Sequence, residues 1–389
     1  MIPRRKVTTY KGFWLDIFKG LISGMPDQDE TIDLFRKIFS EYIGVKHTIF
    51  ASSGRDAFIL ILKALGLKKG DEVIFPSYTL KNLAELTENA GFKPVFVPVS
   101  EDFNINPAEI KNKITERTRV IVATHLFGNP CRIGEIKSIA LGRNIDIIED
   151  CAHALGADID GKRVGSFGRA AFFSFETRKI INTLGGGAIT TNDDELFSHI
   201  LKEFKKQRIS KIHLIKKAFF CLVEQIVLLP AFWSFFARLL RNTTMKSIIL
   251  KLYRAAHTTS RNSVYAYSGL QAYLGIKQLD NIEKYHRNRS FIAKLYNDNL
   301  DNSIIPLIGK SSRHAYYCYI IRIKDASIIS SKLLEYGIDT GYGDEVMQVL
   351  DDNKATKVIH DQALELPMYK GLKIEDIKMI VRRINELLE

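Results

Sequence analysis

Between residues 72 and 193 the chain repeats one pattern: a short apolar run, a stretch with helical spacing, then another apolar run. EVIFPS (72–77), PVFVPVS (94–100), VIVATHLFG (120–128), IDIIED (145–150), AAFFSF (170–175) and GAITTND (187–193) read as strands. KNLAELTENAG (81–91) and IGEIKSIALGRN (133–144) read as helices, the first ended by Gly91. Strands and helices alternating at about 25-residue spacing are βαβ units. Runs that are apolar throughout belong to strands covered by helices on both faces. The pattern predicts an α/β fold with a mostly parallel sheet. Ligands of such sheets sit beyond the carboxyl ends of the strands.

A chain of 389 residues exceeds one simple core. The sequence divides into a large domain over 1–199, a basic and apolar helical insert over 200–262, and a smaller α+β C-terminal domain over 263–389. The large domain includes a helical pattern over 30–44. The C-terminal domain carries a long helical stretch over 268–300, a strand YYCYIIRI (316–323) and a terminal amphipathic helix over 374–389. The cysteines Cys131, Cys151, Cys221 and Cys318 show no CxxC spacing and no zinc-like Cys/His cluster, so no metal site is expected. Scattered reduced thiols, and a first twenty residues without a continuous apolar run, predict a cytoplasmic protein.

Charge is concentrated. Residues 200–262 hold thirteen Lys or Arg against Glu203 and Glu224, a local +11 in a chain of net charge +12. Within them AFFCLVEQIVLLPAFWSFFARLL (218–240) is strongly apolar but interrupted by Glu224, Gln225 and Pro230. A spanning helix needs about 20 apolar residues with few charges. Two readings stay open: a helix pair lying on the inner face of a membrane with aromatic and basic anchors, or a helical insert packed in a dimer interface. No nucleic-acid partner is expected, because basic residues do not interleave with the apolar core of the segment.

Four elements at strand ends carry chemistry. SSGRDA (52–57) opens a helix, where free N–H groups and the helix dipole favour an anion such as phosphate; alone it is an ordinary cap. EDCAHALGA (149–157) puts Asp150 at the end of an apolar strand and His153 one helical turn later. A carboxylate there either caps the next helix or pairs with a protonated ring nitrogen. FFSFETRKIINTLGGGAITTND (172–193) runs from a strand through Ser174 and Lys179 to three glycines and another strand. Most lysines are solvated, but one in an apolar setting becomes a nucleophile towards carbonyls. PSYTL (76–80) is a strand-end loop able to cover one face of a planar ring.

Together with GDEVIFPSYT and HLFGNP, in this order and at this spacing, these motifs resemble the DegT/DnrJ/EryC1/StrS family of sugar aminotransferases, pyridoxal 5'-phosphate (PLP) enzymes of fold type I. The likeness covers most of residues 30–200 and returns in 263–389. It implies that Lys179, five residues after Ser174, is the Schiff-base lysine and proton carrier. It implies that Asp150 meets the pyridine nitrogen, that His153 lies beside the ring, and that Ser174 with Gly54, Arg55 and Asp56 holds the phosphate. Expected substrates are a keto-sugar nucleotide and an amino donor such as glutamate. The expected setting is a homodimer serving surface-polysaccharide synthesis. Members with His at the lysine position dehydrate instead. Rival readings are such a dehydration, or a non-catalytic membrane-binding protein on the same fold. Three positions depart from the family: Leu80 where an aromatic often stacks on the cofactor, Arg55 for the usual Thr, and Val264, with Asn262 nearby, for the partner-subunit Asn.

Overall fold

A computed structural model describes residues 1–25, 28–204, 209–229, 232–233 and 266–389. The apolar runs form one seven-stranded sheet in the order His47–Ala51, Gly187–Thr191, Ala170–Ser174, Asp146–Asp150, Thr118–Thr124, Glu72–Pro76, Lys93–Val97. Only Gly187–Thr191 runs against its neighbours, so the sheet is mostly parallel as expected. His47–Ala51 was not legible as a strand, because its five residues begin with His and Thr and follow a helix directly.

Both faces of the sheet are buried, which explains the unbroken apolar runs. Val73, Phe75, Val120, Val122, Ile148 and Phe172 pack under the helix Gly54–Ala64 through its Phe58, Ile61 and Leu62. The intervening Ile74, Ile121, Ala123 and Ile147 face the helix Ile133–Ala140 on the other side. The helices Asp29–Ile43 and Gly269–Leu279 touch closely at Gly275, where a Cβ would stand 2.4 Å from the Phe35 ring.

The predicted helix over 268–300 is two helices, Gly269–Leu279 and Ile282–Asn297. The break falls at Asn281, whose side-chain amide donates to the Lys277 carbonyl and competes with the helical ladder. Beyond them Tyr319–Arg322, Ala363–Leu366 and Gly341–Tyr342 make a three-stranded antiparallel sheet with Ala363–Leu366 in the middle. The helices Ala326–Glu335 and Ile374–Leu388 close its core. The first residues of the chain join this C-terminal sheet: Ile2 bridges Ile338 and Arg5 pairs with Glu365.

Of the segment 200–262, the helix Lys211–Val227 is described. Pro230, Asn262 and Val264, with every basic residue of the segment after 233, lie outside the described residues. Among the described residues no helix is long and apolar enough to cross a membrane.

Candidate active site

Three parallel strands end side by side at the site. Thr124 is level with Asp150, and Asp150 with Phe172, two residues before Ser174. Asp150 is buried, and its Oδ1 accepts the Ala152 N–H at 3.0 Å. Burial lifts its carboxyl pKa above the usual range, while the nearby cationic Lys179 pulls the other way. A buried carboxylate in that state is stabilised by a cation placed against it. The Thr124 hydroxyl beside it is buried with no hydrogen-bond partner among the described residues.

Lys179 sits in a tight turn, its amide N–H donating to the Glu176 carbonyl at 2.8 Å. The helix Lys211–Val227 pins that turn. Glu224 accepts from the Thr177 hydroxyl at 2.9 Å and pairs with Arg178 at 3.2 Å, and Lys217 pairs with Glu176 at 3.2 Å. Glu224, which interrupts the apolar stretch in the sequence, is thus a clamp on the segment before Lys179. Sequence reasoning missed that role, because only the fold brings residues 45 or so apart into contact.

The Lys179 amine lies 4.8 Å from the centroid of the Tyr317 ring. Tyr317 stacks on His153, with centroids 4.2 Å apart and planes 12° apart. Nδ1 of His153 accepts the Phe127 N–H at 3.4 Å, which leaves its proton on Nε2. Burial, then the Lys179 and Arg5 charges, hold the His153 pKa well below its ordinary value. Asp150, His153 and Lys179 are therefore within electrostatic reach of one another. Tyr317 is a fourth member that the motif reading did not single out.

The helix opened by SSGRDA starts beside Ser174. A Cβ on Gly54 would stand 3.1 Å from the Ser174 Cβ, and Ser53 bridges Gly186 of the glycine loop. Ser53 caps the helix, its Oγ accepting the Asp56 N–H at 3.1 Å. The Asp56 carboxylate turns back to accept from the Ser52 and Ser53 hydroxyls, so it serves the cap. Arg55 lies in the same first turn. Leu80 precedes the helix Lys81–Asn89 and is 43% exposed.

His125, Glu149 and Cys151 also come together, with ligand-capable atoms within 4.8 Å. Glu149 already accepts from His125 and from the N–H groups of Gly165, Phe167 and Gly168. Nδ1 of His125 accepts from Cys131 N–H. The trio is a saturated hydrogen-bond network that fixes the loop after Asp150 rather than a set of open ligands.

The residues fit PLP: an amine and a buried acid near each other, a histidine stacked on the tyrosine that the amine approaches, and a helix start with Ser174 for an anion. A family model for the DegT/DnrJ/EryC1/StrS aminotransferase family matches residues 19–385. GDP-perosamine synthase of Caulobacter vibrioides is 29% identical over 372 residues, covering 91% of this chain and 89% of that protein. dTDP-3-amino-3,6-dideoxy-alpha-D-galactopyranose transaminase of Aneurinibacillus thermoaerophilus is 29% identical over 371 residues, covering 91% and 89%. Among solved structures, GDP-4-keto-6-deoxy-D-mannose-3-dehydratase of E. coli with bound hydrated PLP superposes with a TM-score of 0.76 at 19% identity, covering 98% of this chain and 99% of that one. By its motifs, its fold and this match along nearly its whole length, the chain belongs to the DegT/DnrJ/EryC1/StrS aminotransferase family, a family of PLP enzymes of fold type I.

Proposed function

We propose that this chain moves an amino group from an α-amino acid, glutamate in the first instance, to a keto sugar carried on a nucleotide, in the synthesis of a surface polysaccharide. The observation that carries the reading is that the Lys179 amine lies 4.8 Å from the Tyr317 ring on which His153 stacks, while the buried Asp150 ends the strand beside the one that leads to Ser174. The names of the relatives support the substrate class.

When bound, PLP supplies an electron sink conjugated to the reacting carbon. Asp150 holds a proton at the ring nitrogen and so keeps that sink cationic. Ser174 and the Gly54–Asp56 turn anchor the phosphate, with backbone N–H groups and the helix dipole as the main forces. Lys179 would hold the cofactor through its amine and, once freed, would carry the proton at the reacting carbon of the substrate. The Glu224 and Lys217 clamps hold the turn that aims it. A dehydratase shares the fold, so the fold alone does not choose the reaction; retention of Lys179 supports transamination.

Borohydride reduction of the purified protein should leave the cofactor mass on the peptide containing Lys179, and Lys179→Ala should abolish it. Glutamate should convert the cofactor to its amine form without any sugar present. A protein that shows no cofactor mass at Lys179 would sink the proposal.

We further propose a homodimer, and an anionic membrane surface as a second partner. The helices Phe13–Ile22 and Lys211–Val227 lie together through the Trp14 N–H to Gln225 bond. They expose Phe18, Ile22, Ile212, Ile215 and Phe219 beside the exposed Lys19, Lys211 and Lys216. Flotation with phosphatidylglycerol vesicles tests this: it should be lost when Phe18 and Phe219 are both changed to Ser, and retention would refute it.

A further inference from the structure

The space beside Lys179 holds a second, unassigned cation. Arg5 reaches it from the start of the chain, its guanidinium carbon 5.6 Å from the same Tyr317 ring centroid that Lys179 approaches. Its charge is felt at His153. Glu365 fixes it from behind by a fork, Nε to one carboxylate oxygen and Nη2 to the other at 2.6 Å. The burial is lopsided: Glu365 keeps 1% of its side chain exposed and Arg5 keeps 19%. The acid is thus a buried support, and the arginine keeps the greater exposure of the pair. Its Nη1 has no hydrogen-bond partner among the described residues.

The local charge is not balanced. Arg289 donates from Nη1 to the Tyr316 and Tyr317 carbonyls at 2.6 and 3.1 Å and has no carboxylate within ion-pair distance among the described residues. Burial first, and the nearby Arg5 charge with it, holds the Arg289 pKa below its ordinary value. Three cations, Lys179, Arg5 and Arg289, therefore surround Tyr317, with Asp150 and Glu365 as the opposing acids. The backbone is built to permit this. Gly341 is in register with Glu365, and a Cβ there would stand 2.3 Å from an Arg4 nitrogen and 3.2 Å from a Glu365 oxygen. A surplus cation with a free donor edge, beside the reacting amine, selects an anion that is part of the molecule being converted.

We propose that Arg5 is the carboxylate anchor of the amino-donor site: with Glu365 holding its inner edge, its free edge binds the α-carboxylate of the amino acid whose nitrogen is exchanged at Lys179. This rests on the transamination reading. A carboxylate lies one carbon from the exchanged nitrogen, which matches two cations flanking a single ring; the diphosphate of a nucleotide sugar lies several bonds further away.

The test titrates the holoenzyme with 2-oxoglutarate by calorimetry, with uridine and guanosine diphosphates as control probes, and follows conversion of the cofactor by glutamate in a single turnover. Arg5→Met should weaken 2-oxoglutarate binding roughly 10- to 100-fold, the loss of a charge-assisted pair. Because that variant strands Glu365, Arg5→Met with Glu365→Met is measured beside it, leaving no lone buried charge. It should show the same loss, and Arg5→Lys a partial one, with nucleoside-diphosphate affinity unchanged throughout. Unchanged 2-oxoglutarate affinity in the double variant, or a loss confined to the diphosphates, would overturn the proposal. Arg5-dependent binding in a protein that never converts its cofactor would leave the anchor standing and remove the transamination reading. Normal conversion in both Met variants would do the reverse.

Discussion

Asp150 is placed where it costs the empty protein stability. Its carboxyl is buried, it accepts one N–H from Ala152, and burial raises its pKa. An acid whose folded pKa is raised destabilises the fold once it ionises, above its ordinary pKa. Asp150→Asn should therefore stabilise the cofactor-free protein at neutral pH by about 1–2 kcal/mol, read by urea unfolding. The same change should slow amino transfer by glutamate by roughly 100-fold or more in stopped-flow absorbance. A variant that is both less stable and fully active would contradict the placement. Asp150, His153 and Lys179 were legible because each sits in a motif a few residues long at a strand end. Tyr317, Thr124, Arg5 and Glu365 were not. Nothing local marks a tyrosine in YYCYIIRI or an arginine near the start of the chain as facing a site formed over 170 residues away.

At the scale of elements, the loop after the Asp146–Asp150 strand works as a unit. Gly156 has φ +87°, and a Cβ there would stand 1.9 Å from Nε2 of His286 on the helix Ile282–Asn297. Gly156→Ala should cost more than about 2 kcal/mol in urea unfolding, since it combines left-handed backbone with a clash against a buried ring. Strands with buried faces were read from sequence to within four residues at their ends, because continuous apolar runs have one physical explanation. The helix break at Asn281 was missed, because a side chain competing for a backbone carbonyl leaves no mark in the apolar spacing. The Lys211–Val227 helix is amphipathic in a way composition overstated. Lys217 and Glu224 are bound to the Lys179 turn, so part of its charge serves the site rather than a surface.

For the whole molecule, two buried histidines besides His153 couple the fold to pH. His286 is held down to about 4 and His314 to about 3, in both cases first by burial. Their folded pKa values lie below the ordinary value near 6.5. The unfolded chain thus binds more protons between those limits. The stability they confer is complete above about pH 6.5 and is lost as pH falls towards 4 and then 3. Urea midpoints should fall by a few kcal/mol equivalent over that range. His314→Phe should flatten the lower part of the decline, and an unchanged acid limb would show that the ring is not buried neutral. The α/β class and the parallel sheet followed from the period of the apolar runs. The crossing of the first residues to the C-terminal sheet did not, since a pairing across some 335 residues has no local signature.

That crossing sets a timetable. Residue 5 leaves the ribosome long before Glu365, which is translated 360 residues later, on the order of half a minute at typical elongation rates. Until then an arginine meant for the interior waits without its acid, and the amine at 179 has no wall of C-terminal residues beside it. A nascent chain is therefore inert until Glu365 has emerged, and bulk placed close to Arg5 obstructs the last pairing to be made.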